Sequence, residues 1–560
     1  MREIVVSMCL IVALSALPTY PAIAAQPACD HSHLENLYIV DAHSHFFNVD
    51  YLPEKGMLYR FGVPWPLAGL TASLLHGLTT TIDPDDVAPP AATIDLAILD
   101  DLGLDQLREY VNDELLDGKP VTQFFVKILK LSLRRTLVRI RMAEAVANEP
   151  ALETDASLRE AREDEIKDQY DDKTTDDLIL ELAYLTMLRG WDDADSLYSD
   201  ENATENKVRG VLRALAVLMS PETTIIQRAM HDFPEVDVFV HHMMDMERPY
   251  NDRPPLEFED QTEHAKWLND WYNTNMIVNP TQELKIAFFV AYDPFRRSST
   301  FVWEGYSQWA NGIKFYPPSG SRPADTIIPP EPTPTVPMTA RYARRKQWDA
   351  RYEDWDKDEI DTLNRQVFEE AASKNLPIFS HQNKSGFEAD DTYGELMGAP
   401  CHWQNLLDTM DPPPTVIMAH SGGTGDWFGD DWSDNSYSLQ AYNLCVSYPT
   451  VYCDFGDASR ILDENKREAF VVRLTELTGA SVNAPPNYHP GDLCTRTTEV
   501  EYQQYELEDK IMYGSDWLVS IKDDRADYLC RFGEAFNATG LQAHRAKFFG
   551  ENARKAFNLP

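Results

Sequence analysis

Basic residues are scarce in this 560-residue chain: 50 Lys and Arg face 91 Asp and Glu, a formal net charge of −41. Such a surface repels phosphates, so nucleic acid is not an expected partner. Cysteine is scarce too, seven in all. No two stand at Cys-x-x-Cys spacing, which argues against a thiolate zinc site. A phosphate-cradling loop is also missing. Gly422-Gly423-Thr424-Gly425 allows close backbone approach but lacks the spacing and the lysine. Beyond the first two dozen residues no apolar run nears the length of a bilayer span.

The start of the chain is different. Arg2 leads into an apolar stretch from Ile4 to Leu17, and Ala22-Ile23-Ala24 offers a small-x-small cleavage site. Residues 1–24 are therefore expected to be a signal peptide, with the mature protein exported to a periplasm or secreted, and with no transmembrane segment left. Cleavage would remove Cys9 and leave Cys29, Cys401, Cys445, Cys453, Cys494 and Cys530. Six cysteines permit up to three disulfides in an exported protein, with connectivity open.

What is there in quantity is apolar and aromatic residues, 43% and 11%, enough for a large core. Short β-like runs recur, and most end in polar or chemically capable residues. They are Leu37–Val40, Val236–Val240, Ile286–Ala291, Gly312–Tyr316, Leu376–His381, Thr415–His420, Val451–Phe455 and Lys510–Asp516. Segments long enough for a helix separate most of the later ones, which implies parallel pairing. Eight such units predict a distorted (β/α)8 TIM barrel. Residues 25–90 would hold the first strand and 231–560 the remainder. Residues 91–230 are mostly helix-like and are expected to be a large helical insertion between the first two strands. Within it, Thr122–Asn148 is basic and amphipathic, and is expected to pack on the insertion's own acidic helices, with an anionic membrane surface as the alternative. The proline-rich stretch from Pro317 to Pro337 would lie over the barrel mouth, as a lid or a plain loop.

The chemistry starts at Asp41-Ala42-His43-Ser44-His45. Strand alternation puts His43 and His45 on one face with Asp41 behind them, where it could orient a ligand. His381 ends the fifth strand, His420 the sixth and Asp516 the eighth, so a closed barrel would gather all five at one mouth. Imidazoles and a carboxylate suit a borderline divalent ion. Zinc is expected, with manganese and iron also compatible. Arg296 and Arg297 follow the third strand and are candidates for an anionic substrate.

The order His-x-His, Gly312-Ile313-Lys314-Phe315-Tyr316-Pro317-Pro318, Pro377-Ile378-Phe379-Ser380-His381, Ala419-His420-Ser421-Gly422-Gly423 and Tyr513-Gly514-Ser515-Asp516-Trp517 resembles the amidohydrolase superfamily. In particular it is similar to the amidohydrolase-related branch that includes aminocarboxymuconate semialdehyde decarboxylase. The likeness covers residues 36–48 and roughly 230–555. It implies that His43, His45, His381 and Asp516 bind one metal ion. His420 would stand near the bound water or substrate, and Asp516 and His420 would be the catalytic pair. In binuclear members a carboxylated lysine on the fourth strand bridges two metals, so a second ion would follow if Lys314 were carboxylated. Otherwise Lys314 and Tyr316, on one strand face, are substrate-binding candidates. Asn383 sits in a formal glycan sequon but so near the mouth that it reads as a substrate contact or loop residue.

The expected function is hydrolysis of an amide, ester or lactone-like bond in a small molecule by metal-activated water. A decarboxylase acting on an aromatic or unsaturated acid is the first alternative, and a catalytically silent binding protein the second. Homo-oligomerisation stays open.

Overall fold

The computed structural model describes residues 29–55 and 57, a few positions between 158 and 170, and, with short gaps, 217–327, 357–479, 505–517 and 527–560. The signal segment, Thr122–Asn148, nearly all of the insertion, Arg297 and the proline-rich stretch beyond Ile327 lie outside the described residues.

All eight expected strands form. They are β1 (Val40–Ser44), β2 (Val238–His242), β3 (Ile286–Tyr292), β4 (Gly312–Phe315), β5 (Ile378–His381), β6 (Val416–Ala419), β7 (Val451–Asp454) and β8 (Ile511–Met512). Each pairs in parallel with the next, in the order β1 to β8. The ring closes where the chain after β8 meets β1. Ala42 N donates to Tyr513 O at 3.0 Å, Asp516 N to His43 O at 2.7 Å and His45 N to Trp517 O at 2.6 Å. The architecture is the (β/α)8 barrel expected from the sequence.

Parallel strands covered on both faces need apolar residues at nearly every position, which is why these runs are continuous rather than alternating. The inner face carries Val40, Ala42, Val238, Val240, Ala287, Phe289, Phe379, Ile417, Ala419, Tyr452 and Met512, all buried. β4 offers Gly312 where a side chain would collide with Phe289, at 2.3 Å from a Cβ. The C-terminal helix Asn552–Phe557 joins the same cluster, its Phe557 ring 5.3 Å from Phe289. Outside the ring, the helix Lys357–Ser373 buries Ile360, Asn364, Val367, Phe368 and Ala371, the stripe of an amphipathic helix facing a sheet.

Simple alternation fails in β1. Its register shifts between Asp41 and Ser44. Val40 and Ala42 belong to the inner cluster, and strict alternation would turn His43 away from it. The irregularity re-aims the chain by one residue, as bulges do at barrel rims.

Cys29 is bonded to Cys530, and Cys445 to Cys453. Cys401 is also disulfide-bonded. The first bridge spans 501 residues and ties the start of the described chain to the helix Tyr528–Phe536. A loop that long removes much entropy from the unfolded chain. Replacing Cys29 and Cys530 by serine is expected to cost up to about 5 kcal/mol, read as a lower midpoint in a denaturant titration. An unchanged midpoint would refute it.

Candidate metal centre

The ends of β1 and β8 place three ligand atoms together. His43 Nε2 lies 3.4 Å from Asp516 Oδ1, and His45 Nε2 lies 3.3 Å from the same oxygen. Among the described residues these three side chains form the group of His, Cys, Asp and Glu that could hold a metal ion, and all three are buried.

The second nitrogen of each imidazole is already committed. His45 Nδ1–H donates to the carbonyl of His242 at 2.8 Å. His43 Nδ1 faces Asp454 Oδ1 at 3.2 Å. A carbonyl and a carboxylate oxygen only accept, so both Nδ1 atoms carry hydrogen and both Nε2 atoms point at Asp516. Two nitrogen lone pairs against a carboxylate oxygen would repel. Something positive must stand between them, either protons on the imidazoles or a metal ion. Burial, with smaller opposing and supporting effects from Asp516 and Lys314, holds the His43 ring well below its ordinary value and so in its ligating form. Burial pushes the Asp516 carboxyl up, but positive charge on the side of His43, a hydrogen bond from His45 and charge at His420 outweigh it and hold it well below the usual range, the same positive charge that a bound ion would supply. A carboxylate and two imidazoles whose Nε2 atoms converge on it are a donor set that fits zinc.

His381 and His420 stand beside this trio. His420 Nδ1–H donates to Gly456 O at 3.0 Å, which leaves Nε2 as its proton-handling atom, and that atom lies 3.1 Å from His381 Nδ1. The His420 ring is 4.8 Å from the His43 ring. His381 therefore meets His420 rather than the three converging atoms.

The remaining sequence candidates surround the centre at different distances. Lys314 is buried, its Nζ 4.5 Å from the centroid of Phe379, and burial pushes its ammonium down to about 8. The Phe379 ring in turn lies 4.7 Å from that of His43. The Tyr316 ring lies 4.6 Å from that of His381, tilted by 48°, and its hydroxyl accepts from Phe387 N at 2.6 Å. Asn383 is half-buried and faces Gly423 in the loop after β6. Arg296 is not available to a substrate. Its guanidinium is buried and bonds Asp245 at 2.8 and 3.0 Å and Glu247 at 2.8 Å, clamping the loops after β2 and β3.

Asp41 plays a different part from the one its position suggested. Its Oδ1 accepts from the backbone N–H of His43 at 3.1 Å and of Ser515 at 2.9 Å, and its Oδ2 from Ser515 Oγ at 2.5 Å. It ties the β1 and β8 backbones rather than a ligand ring. Burial pushes its carboxyl up to about 7.

Two residues escaped the sequence reading. Asp454 ends β7 and touches His43 directly. His242 ends β2, holds His45 through its carbonyl, donates Nε2–H to Ala42 O at 2.9 Å and stacks at 3.7 Å on Phe379. The available signal was position alone: each closes a recognised strand.

Backbone strain gathers here. His420, Ser421 and Asp516 have φ of 58°, 48° and 52°. Left-handed conformations outside glycine cost about 1–3 kcal/mol and cluster at functional sites.

No protein-family model matches the chain, and no curated protein matches it. Solved structures resemble it only remotely. An amidohydrolase from Burkholderia multivorans with bound zinc is 10% identical, covering 62% of this chain and 92% of its own, with a TM-score of 0.34. A probable 2-pyrone-4,6-dicarboxylic acid hydrolase from Acinetobacter baumannii, with citric acid bound, is 10% identical over 60% of this chain and 89% of its own, TM-score 0.32. Amidohydrolase 2 from Bifidobacterium longum subsp. infantis is 13% identical over 60% and 87%, TM-score 0.28. Likeness this remote carries no argument about chemistry, which rests on the residues themselves.

Proposed function

We propose that this chain is an exported, metal-dependent hydrolase of the amidohydrolase type, acting on an amide, ester or lactone-like bond of a small molecule. One observation carries the reading: two imidazole nitrogens, each with its other nitrogen tied as a donor, converge on one buried carboxylate oxygen. His43, His45 and Asp516 would hold the ion; the resemblance adds His381, which would have to reach it through Nε2, because its Nδ1 is turned to His420. When bound, the ion would polarise a carbonyl and lower the pKa of water.

The chain's own groups supply the rest. Asp516 is the carboxylate placed to accept a proton at the centre and return it to a leaving group. His420 handles protons at Nε2, because Nδ1 is held by Gly456. Lys314, buried beside Phe379, offers a cation to a substrate oxygen. One ion is proposed, since three ligand groups converge among the described residues. A metal-to-protein ratio near two would overturn that number. Export is supported by the disulfides, which persist in oxidising compartments. Among the described residues no helix is long and apolar enough to cross a membrane.

The test is a substrate screen of the zinc-loaded protein. Turnover of activated esters or lactones that stops on chelation supports hydrolysis. Release of carbon dioxide from an aromatic or unsaturated acid would instead establish the decarboxylase.

A further inference from the structure

We propose that Asp454 is a positioning residue that locks the ring of His43 and the backbone of His420 with one carboxylate, and so couples the metal centre to the acid/base group. The inference rests on the metal-site reading above.

The geometry is specific. Asp454 Oδ1 accepts from His43 Nδ1–H at 3.2 Å and from Gly456 N–H at 2.6 Å. Its Oδ2 accepts from the backbone N–H of His420 at 3.1 Å. Its own backbone carbonyl accepts from Ser421 Oγ at 2.6 Å. His420 and Ser421 are both left-handed, so Asp454 pins the strained turn that presents His420. The residue is fully buried, and water cannot replace a lost partner cheaply.

All three groups facing the carboxylate are donors. Both oxygens must therefore accept, which an asparagine cannot do. Placed one way, its amide nitrogen meets the N–H of His420. Flipped, it meets His43 Nδ1 and favours the tautomer whose hydrogen sits on Nε2, the atom meant for the metal. Glutamate is one methylene too long for a site already full. Gly456 shows how full: a Cβ there would stand 2.3 Å from His43 Nδ1 and 2.8 Å from Asp454 Oδ1. Carboxylates that hold a ligating histidine in this way are worth about 10–100-fold in metal affinity.

The experiment compares Asp454→Asn with Asp41→Asn, an equally buried carboxylate that bonds backbone and Ser515 but no imidazole nitrogen. Zinc affinity is measured by competition with a chromophoric chelator, and the imidazole N–H protons of the zinc-loaded protein by NMR after histidine labelling. Asp454→Asn is expected to weaken zinc 10–100-fold and to abolish one strongly downfield N–H proton. Asp41→Asn should keep that proton and lose clearly less zinc affinity than Asp454→Asn, whatever its melting temperature. Equal losses in the two variants, or wild-type zinc affinity in Asp454→Asn, would overturn the proposal. Should Asp454→Asn fail to fold, the wild-type spectrum still decides: no downfield His43 N–H, no carboxylate lock. Neither readout uses turnover. If His43→Ala leaves zinc binding intact, the metal reading itself has failed, and the two failures are told apart.

Discussion

Asp516→Asn is expected to strip the protein of most of its zinc and, when zinc is forced in by excess, to leave activity reduced by about 10²–10⁴-fold. The two effects have separate causes. Asp516 Oδ1 is the atom on which both His43 Nε2 and His45 Nε2 converge. An amide is neutral, so it removes the negative charge that makes a cation welcome in a buried cluster. It also has no lone pair basic enough to take a proton, so the residual zinc form would lack its base. Metal analysis after gel filtration checks the first effect, and kcat at saturating zinc the second. Wild-type metal content in Asp516→Asn, together with wild-type content in His43→Ala, would remove the centre from these residues altogether. Zinc binding should also release protons in the wild type, because the ion replaces whatever hydrogen sits between the imidazoles and the carboxylate.

Glu54→Gln is expected to stabilise the protein in neutral and alkaline solution and to leave it unchanged near pH 4. Glu54 is buried in the segment after β1, and its Oε1 has no hydrogen-bond partner. Burial, with Asp50 and Asp252 adding repulsion, pushes its carboxyl from 4.5 up to about 9. The folded protein therefore holds this proton while the unfolded chain releases it. Between about 4.5 and 9 the native state binds more protons than the unfolded one, and stability falls as pH rises, by on the order of 1 kcal/mol per unit. Below that window both states are protonated and the residue contributes no pH dependence. Glutamine keeps the shape and removes the ionisation. Thermal melts of the metal-free protein across pH 4–9 should show the variant and wild type together in acid and diverging toward base; parallel curves would refute the assignment.

Much of this centre was legible along the chain, because a parallel barrel writes itself as apolar runs with chemistry at their C-terminal ends. Val416–Ala419 followed by His420 is such a run, and Ile378–His381 another. Asp454 had the same credentials, closing the run Val451–Asp454. It passed unnoticed because a lone strand-end aspartate has no local pattern, and its partner His43 is 411 residues away. Arg296 failed in the opposite direction. A pair of arginines after a strand reads as an anion site, but Asp245 and Glu247 already neutralise the first of them.

The sequence by itself determined the strand order, the parallel pairing and the identity of the groups brought to the mouth, since each depends on residue types within a few positions of one another. The tertiary structure alone decided how those groups face. The register shift in β1 aims His43 and His45. Closure of β8 on β1 brings Asp516 to them. The carboxylate of Asp454 then holds both His43 and His420. Each of these requires the ring to be closed, and no run of neighbouring residues encodes where a closed ring places atoms hundreds of positions apart.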